Sequence, residues 1–178
     1  MDSNLPDHSE DEPLSHPASL EPEALLQDCN IELTRRKGPG GQHRNKVETA
    51  VVLHHRPTGV SAEANEKRSQ AENRKEATFR LRVQLALKIR CEREKISALL
   101  ESRIQNSRIS INPRHDDFPN VLAEVLDLVH ACQFQIPEAA EALQVTGSQL
   151  LKFLKTCPPA FEYFNQERQN RNLHRIKF

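Results

Sequence analysis

The sequence predicts an α+β fold: a small β-sheet packed on one long helix, a glycine-rich loop projecting from the sheet, and a small all-α region behind it. Three observations carry this. Cys29-Asn30-Ile31-Glu32-Leu33-Thr34 alternates apolar and polar residues, and Ala50 to His55 reads as its partner strand. Ser69-x-x-Glu72 is a capping box, and Ala77, Leu81, Leu85 and Ile89 follow it at four-residue spacing. From Pro119 onward apolar residues recur at helical spacing.

In chain order, residues 1–22 combine Pro6, Pro13, Pro17 and Pro22 with acids and serines, and are expected to be a disordered acidic tail that buries too little surface to offset its ordering entropy. Residues 23–106 form the α/β unit. Glu23 to Gln27 makes one helical turn, the two strands follow, Pro57-Thr58-Gly59 turns the chain, and Val60 to Ala64 returns as a third strand. The helix opened by Ser69 is expected to run past Ile96 to about Arg103, with residues 88–103 a solvated charged face.

Residues 107–118, with Pro113, read as a linker in which His115, Asp116 and Asp117 face solvent rather than a metal. Residues 119–178 form the helical region. Leu122, Val125, Leu126 and Val129 give one apolar stripe. Residues 137–154 then read helix, turn, helix, with Ala140, Leu143, Val145 and Leu150 in a helix-turn-helix pattern. Gln144 stands at the usual turn glycine, and the second helix offers Ser148, Gln149, Lys152 and Lys155, a modest footprint equally suited to plain helix packing. Arg168, Arg171, Arg175 and Lys177 make a short basic tail.

Formal net charge is zero, from 25 basic and 25 acidic residues, but the distribution is lopsided. Residues 1–34 hold nine acids and no Lys or Arg, whereas residues 35–114 hold 19 bases against 8 acids. Such a basic middle segment suits a polyanion, of which nucleic acid is the usual one. Cys29, Cys91, Cys132 and Cys157 lack C-x-x-C spacing and read as reduced thiols, not a zinc site or disulfide frame. The sequence shows neither a membrane-spanning apolar run nor a secretion or transit signal, so a cytoplasmic location is expected.

Three of the five glycines lie in Gly38-Pro39-Gly40-Gly41-Gln42, framed by Arg35, Arg36, Lys37, Arg44 and Lys46. Residues without a Cβ let a backbone press against another surface, proline stiffens the approach, and flanking cations suit phosphates. Gln42 offers a backbone N–H and an amide with no titrating proton. A lone Gly-Gly-Gln would be read as a basic turn between strands.

The surroundings decide otherwise. Residues 28–46, continuing through Thr49-Ala50-Val51, Pro57-Thr58-Gly59, and Glu66-Lys67-Arg68-Ser69-Gln70 with Asn73 and Lys75, closely resemble the catalytic domain of class I peptide chain release factors. The resemblance covers about a third of the chain, with Arg44 where most members carry a small apolar residue. It implies hydrolysis of the peptidyl-tRNA ester by water within the large ribosomal subunit, with Gly40, Gly41 and Gln42 catalytic. Arg35, Arg36, Lys37, His43, Arg44, Asn45, Lys46, Arg68, Ser69, Gln70 and Asn73 are the implied RNA contacts. The implied partners are ribosomal RNA at the peptidyl-transferase centre, peptidyl-tRNA, and a release-factor glutamine methyltransferase acting on Gln42. No cofactor, metal, membrane or DNA is expected.

Class I release factors read stop codons with a preceding domain carrying P-x-T or S-P-F. Only about 30 residues precede this segment and neither tripeptide occurs, so codon-independent release, as in the shortened ribosome-rescue relatives, is the expected activity. A non-enzymatic ribosome- or RNA-binding factor and a stop-codon-dependent termination factor stay open. A DNA-binding regulator using residues 137–155 ranks last because that stretch carries little positive charge.

Overall fold

The computed structural model describes residues 16–34, 49–93 and 95–177. It is a mixed α/β structure organised around α2 (Gln70–Lys88). Three antiparallel strands, β1 (Cys29–Thr34), β2 (Ala50–His55) and β3 (Ser61–Ala64), form a sheet in that order. The register pairs Ile31 with Leu53, Leu33 with Val51, and Val51 with Ala64. Val51, Leu53 and Ala64 are buried, and so are Ala77, Leu81 and Leu85 of α2, in one apolar cluster. The four-residue spacing read in the sequence is therefore the face that meets the sheet. Ser69 caps α2 by accepting from the Glu72 N–H, 3.4 Å away.

α2 also packs on α4 (Phe118–Ala131). Val121, Leu122, Val125, Leu126 and Val129 of α4 are buried, and so are Glu124 and Asp127. These two carboxylates explain why α2 stops short of its expected length. Asp127 Oδ1 accepts from the Cys91 N–H and from Arg90 Nη1, each at 3.1 Å. Glu124 accepts from the Ser97 N–H and, at 2.7 Å, from the Ser97 hydroxyl, with Arg93 Nη1 3.4 Å away. A buried carboxylate needs donors, and the amides of Cys91 and Ser97 are free to donate because the chain leaves the helix at Ile89 (φ −100°, ψ 141°). Residues 89–93 and 95–97 are thus clamped onto α4 rather than forming a solvated helix face, and helix resumes as α3 (Ala98–Arg103).

Two other boundaries differ from expectation. His16 to Leu20, placed in the disordered tail, is an ordered strap containing a 3-10 turn, Pro17–Ser19, before α1 (Pro22–Gln27). Ala18 is fully buried, and the Arg82 guanidinium reaches its carbonyl at 2.9 Å and that of Asp116 at 2.8 Å. A buried guanidinium requires such acceptors, and the strap supplies one. A hairpin straddles the start of the stretch read as a linker: β4 (Ile104–Gln105) precedes it and β5 (Arg108–Ile109) lies in it, turned by Asn106 and Ser107 at φ 50° and 55°.

The helical region continues as α5 (Ile136–Ala142), α6 (Gly147–Lys155) and α7 (Pro158–Asn170). Gln144 takes φ 54° at the turn, the glycine-like conformation its position requires. Gly147 serves closeness instead: a Cβ there would meet Ile136 Cγ2 at 2.8 Å. The tail is not a free basic arm. Arg168 is buried and donates to Phe134 O at 2.6 Å and His174 O at 3.0 Å, Arg171 pairs with Glu167, and Arg175 lies 2.8 Å from Glu162. The four cysteines are free thiols.

Candidate functional site

The site is built at one end of the three-stranded sheet. The pair Thr34↔Ala50 closes the ladder and brings together the ends of the segment holding the Gly-Gly-Gln sequence. Gly40, Gly41 and Gln42 lie outside the described residues, as do Arg35, Arg36, Lys37, His43, Arg44, Asn45 and Lys46. What the structure describes is their mounting.

That mounting centres on Asn73, which was expected among the RNA contacts and is instead fully buried. Its Nδ2 donates to Thr49 O at 2.7 Å and to Lys67 O at 3.0 Å, while its Oδ1 accepts from the Lys67 N–H at 2.9 Å. The amide is committed to main chain and has no edge left for a nucleotide. Asn73 therefore ties α2 to the residue that follows the Gly-Gly-Gln segment and to the turn before α2.

The other sequence-predicted residues in this turn behave differently. Arg68 is exposed, Gln70 begins α2 at the surface, and Ser69 is half-buried as the cap. Arg80 stabilises the turn from below, 2.9 Å from Glu66 Oε1 and Glu63 O and 3.1 Å from Glu76. The Arg80 hydrogen bond holds the Glu66 carboxyl below its ordinary range. With Glu66 so engaged, Arg68 projects from the same turn that Asn73 locks to the strand end. His55, read as a strand-end residue, is buried with Nδ1 2.7 Å from Thr58 Oγ1, and burial lowers its pKa. It stabilises the β2–β3 turn.

His16, Cys91 and Asp127 place ligand-type atoms within 4.8 Å of one another beneath α4. Both ring nitrogens of His16 are committed: Nδ1 accepts from the Ala18 N–H at 3.0 Å and Nε2 lies 3.2 Å from Ile89 O. Arg90 already neutralises Asp127. The cluster latches the N-terminal strap to the segment after α2.

The sequence does not reveal a cleft between the β4–β5 hairpin and α6, because the pairing of Ile104–Gln105 with Arg108–Ile109 is not legible in an expected helix end and linker. Arg103, Arg108, Gln149 and Lys152, all of which line it, are the signal the sequence carries.

A Gly-Gly-Gln sequence between two paired strands, with a basic helix-capping turn tied to its base, is the arrangement the chain offers for comparison. The chain belongs to the RF-1 domain family, which matches residues 21–120. It is 42% identical over 94 residues to peptide chain release factor 1 of Akkermansia muciniphila, covering 52% of this chain and 26% of that protein. It is 49% identical over 59 residues to the chloroplastic peptide chain release factor PrfB1 of Arabidopsis thaliana, covering 33% and 13%. With the mitochondrial peptide chain release factor 1 of Bos taurus it shares 36% identity over 101 residues, covering 54% and 23%. The chain thus spans about a quarter or less of the length of these relatives. No helix of the described residues is long and apolar enough to cross a membrane.

Proposed function

We propose that the chain hydrolyses the ester of peptidyl-tRNA on the ribosome, in the cytoplasm, without reading a codon. The observation that carries this is the family match over residues 21–120, which encloses Gly40-Gly41-Gln42 between strands joined at Thr34↔Ala50. The nucleophile is water, so the protein must orient it and exclude other solvent. The ester carbonyl becomes an oxyanion in the transition state, and the Gln42 N–H is the donor for it. Gly40 and Gly41 are slim enough to let that N–H approach, and the Gln42 side chain shapes the space around water and ribose. No protein base is required, since RNA groups complete the site.

Large-subunit RNA and peptidyl-tRNA are the partners, held at the motif by Arg35, Arg36, Lys37, Arg44, Lys46 and Arg68. A release-factor glutamine methyltransferase modifies Gln42. Codon independence is the part of this proposal that the following measurement decides. The test is peptide release from matched ribosomal complexes carrying UAA, a sense codon, or mRNA ending at the A site. Release is expected to be equal on UAA and sense codons. A strong preference for UAA would make the protein a termination factor, and ribosome binding without any release would make it a non-enzymatic one.

A further inference from the structure

We propose that the cleft between the β4–β5 hairpin and α6 is a second RNA-binding site, gripping the sugar-phosphate backbone of structured RNA. The cleft has a volume of about 410 Å³, and Arg103, Arg108, Asn112, His115, Gln149 and Lys152 supply its polar lining. Among the described residues no carboxylate lines it. Asp117, two residues from His115, is engaged by Arg103 at 2.6 Å and sits 3.5 Å from His115.

Many arginines elsewhere in the molecule are already committed. Arg80, Arg90, Arg93, Arg171 and Arg175 each face a carboxylate, and Arg82 and Arg168 are spent on carbonyls. Arg108 and Lys152 are exposed and have no acidic partner among the described residues. They come from elements about forty residues apart, yet face one cleft.

The two walls are held in place before any ligand arrives. Ser107 O, at the hairpin tip, accepts from the Thr146 N–H at 3.2 Å, at the N-cap of α6, and Ser110 N donates to Arg103 O at 2.8 Å. A preformed pair of cations loses little entropy on binding. Of the two aromatic rings lining the cleft, Phe153 is 4% exposed and the His115 imidazole is held by the Asp117 N–H at 3.1 Å, so stacking on unpaired bases is limited to that one imidazole. Guanidinium, ammonium and the Asn112 and Gln149 amides instead match phosphate oxygens and ribose 2′-hydroxyls, contacts that position RNA without reading its sequence. The identity of the polyanion as RNA rests on the ribosomal reading above. One wall of the cleft, α6, is outside residues 21–120, whereas the hairpin wall lies within them.

The experiment uses the full chain, a fluorescein-labelled RNA hairpin, and the DNA hairpin of the same sequence, titrated over a range of salt concentrations. The double variant Arg108→Ala/Lys152→Ala is expected to bind the RNA hairpin about tenfold more weakly. It should also lower the salt dependence by about two, since each phosphate contact contributes about one to the log–log slope. Arg108→Lys/Lys152→Arg should restore both values, because a phosphate accepts either cation. Unchanged affinity and slope in the alanine variant would overturn the proposal, as would equal wild-type affinity for RNA and DNA hairpins. Peptide release measured in parallel separates the two readings. Normal hairpin binding by an alanine variant of an active protein removes the cleft alone. Weakened binding by the same variant of a protein that never releases peptide removes the hydrolase alone.

Discussion

The Asn73 side-chain amide donates to the carbonyl of Thr49 across 2.7 Å, so a residue in the first turns of α2 holds the end of the segment that carries Gly40, Gly41 and Gln42. The same amide makes two further hydrogen bonds to Lys67. This is a positioning device, and it can be separated from RNA contact.

Asn73→Ala leaves the Thr49 and Lys67 groups without their partner inside the protein. Unsatisfied buried groups cost about 1–3 kcal/mol each, and local relaxation recovers part of that, so a loss of about 2–4 kcal/mol is expected in denaturant melts. Below the melting temperature, ribosome pelleting should be retained while peptide release slows, because the anchor of the catalytic segment is loosened. Weaker pelleting with an unchanged midpoint would return Asn73 to the RNA contacts.

Gln42→Pro removes the N–H assigned to the oxyanion, and Gly41→Ala adds a Cβ where the backbone must pass closely. Loss of one such donor costs about a hundred- to a thousandfold in rate. Peptide release by Gln42→Pro should fall by at least that factor and by Gly41→Ala comparably, with unfolding midpoints unchanged. Undiminished release in both would end the catalytic assignment.

The latch under α4 gives a pH signature. Burial lowers the His16 pKa to about 4, with Arg90 and Arg93 acting in the same direction against the Ile89 carbonyl. Its contribution to stability is present above the unfolded value near 6.5 and is lost as pH falls through about 4. Burial raises Asp127 to about 6, opposed by the Cys91 N–H, Arg90 and Arg93. Its contribution has the opposite sign: present below the unfolded value near 3.8 and lost as pH rises through about 6. Between those limits the two slopes oppose each other, each up to about 1.4 kcal/mol per pH unit. Asp127→Asn should therefore make stability fall more steeply on acidification than in the wild type, and His16→Gln should make it rise. Urea midpoints across this range decide it, and parallel curves for all three proteins would refute the assignment.

The sequence by itself determined whatever is local. Alternation in residues 29–34 marks β1 as a strand, although Ile31 and Leu33 are exposed and not the buried half that alternation implies; Ser69 caps α2, and Ala77, Leu81 and Leu85 give that helix its buried face, because strand period, cap and helix period are properties of neighbouring residues. The Gly-Gly-Gln sequence with its basic flanks and following turn was legible for the same reason, and it sufficed to point to the family that the comparison establishes. Only the tertiary structure decided where α2 ends, what Asn73 does and which arginines are free. The amides of Cys91 and Ser97 are claimed by carboxylates 36 and 27 residues away, and Arg168 by the carbonyl of Phe134, 34 residues earlier. A charged or amide side chain is the same letter in the sequence whether water or the protein interior solvates it. Burial makes the difference, because a desolvated polar group must find its partner inside the fold, and that partner is chosen by packing across the chain rather than along it.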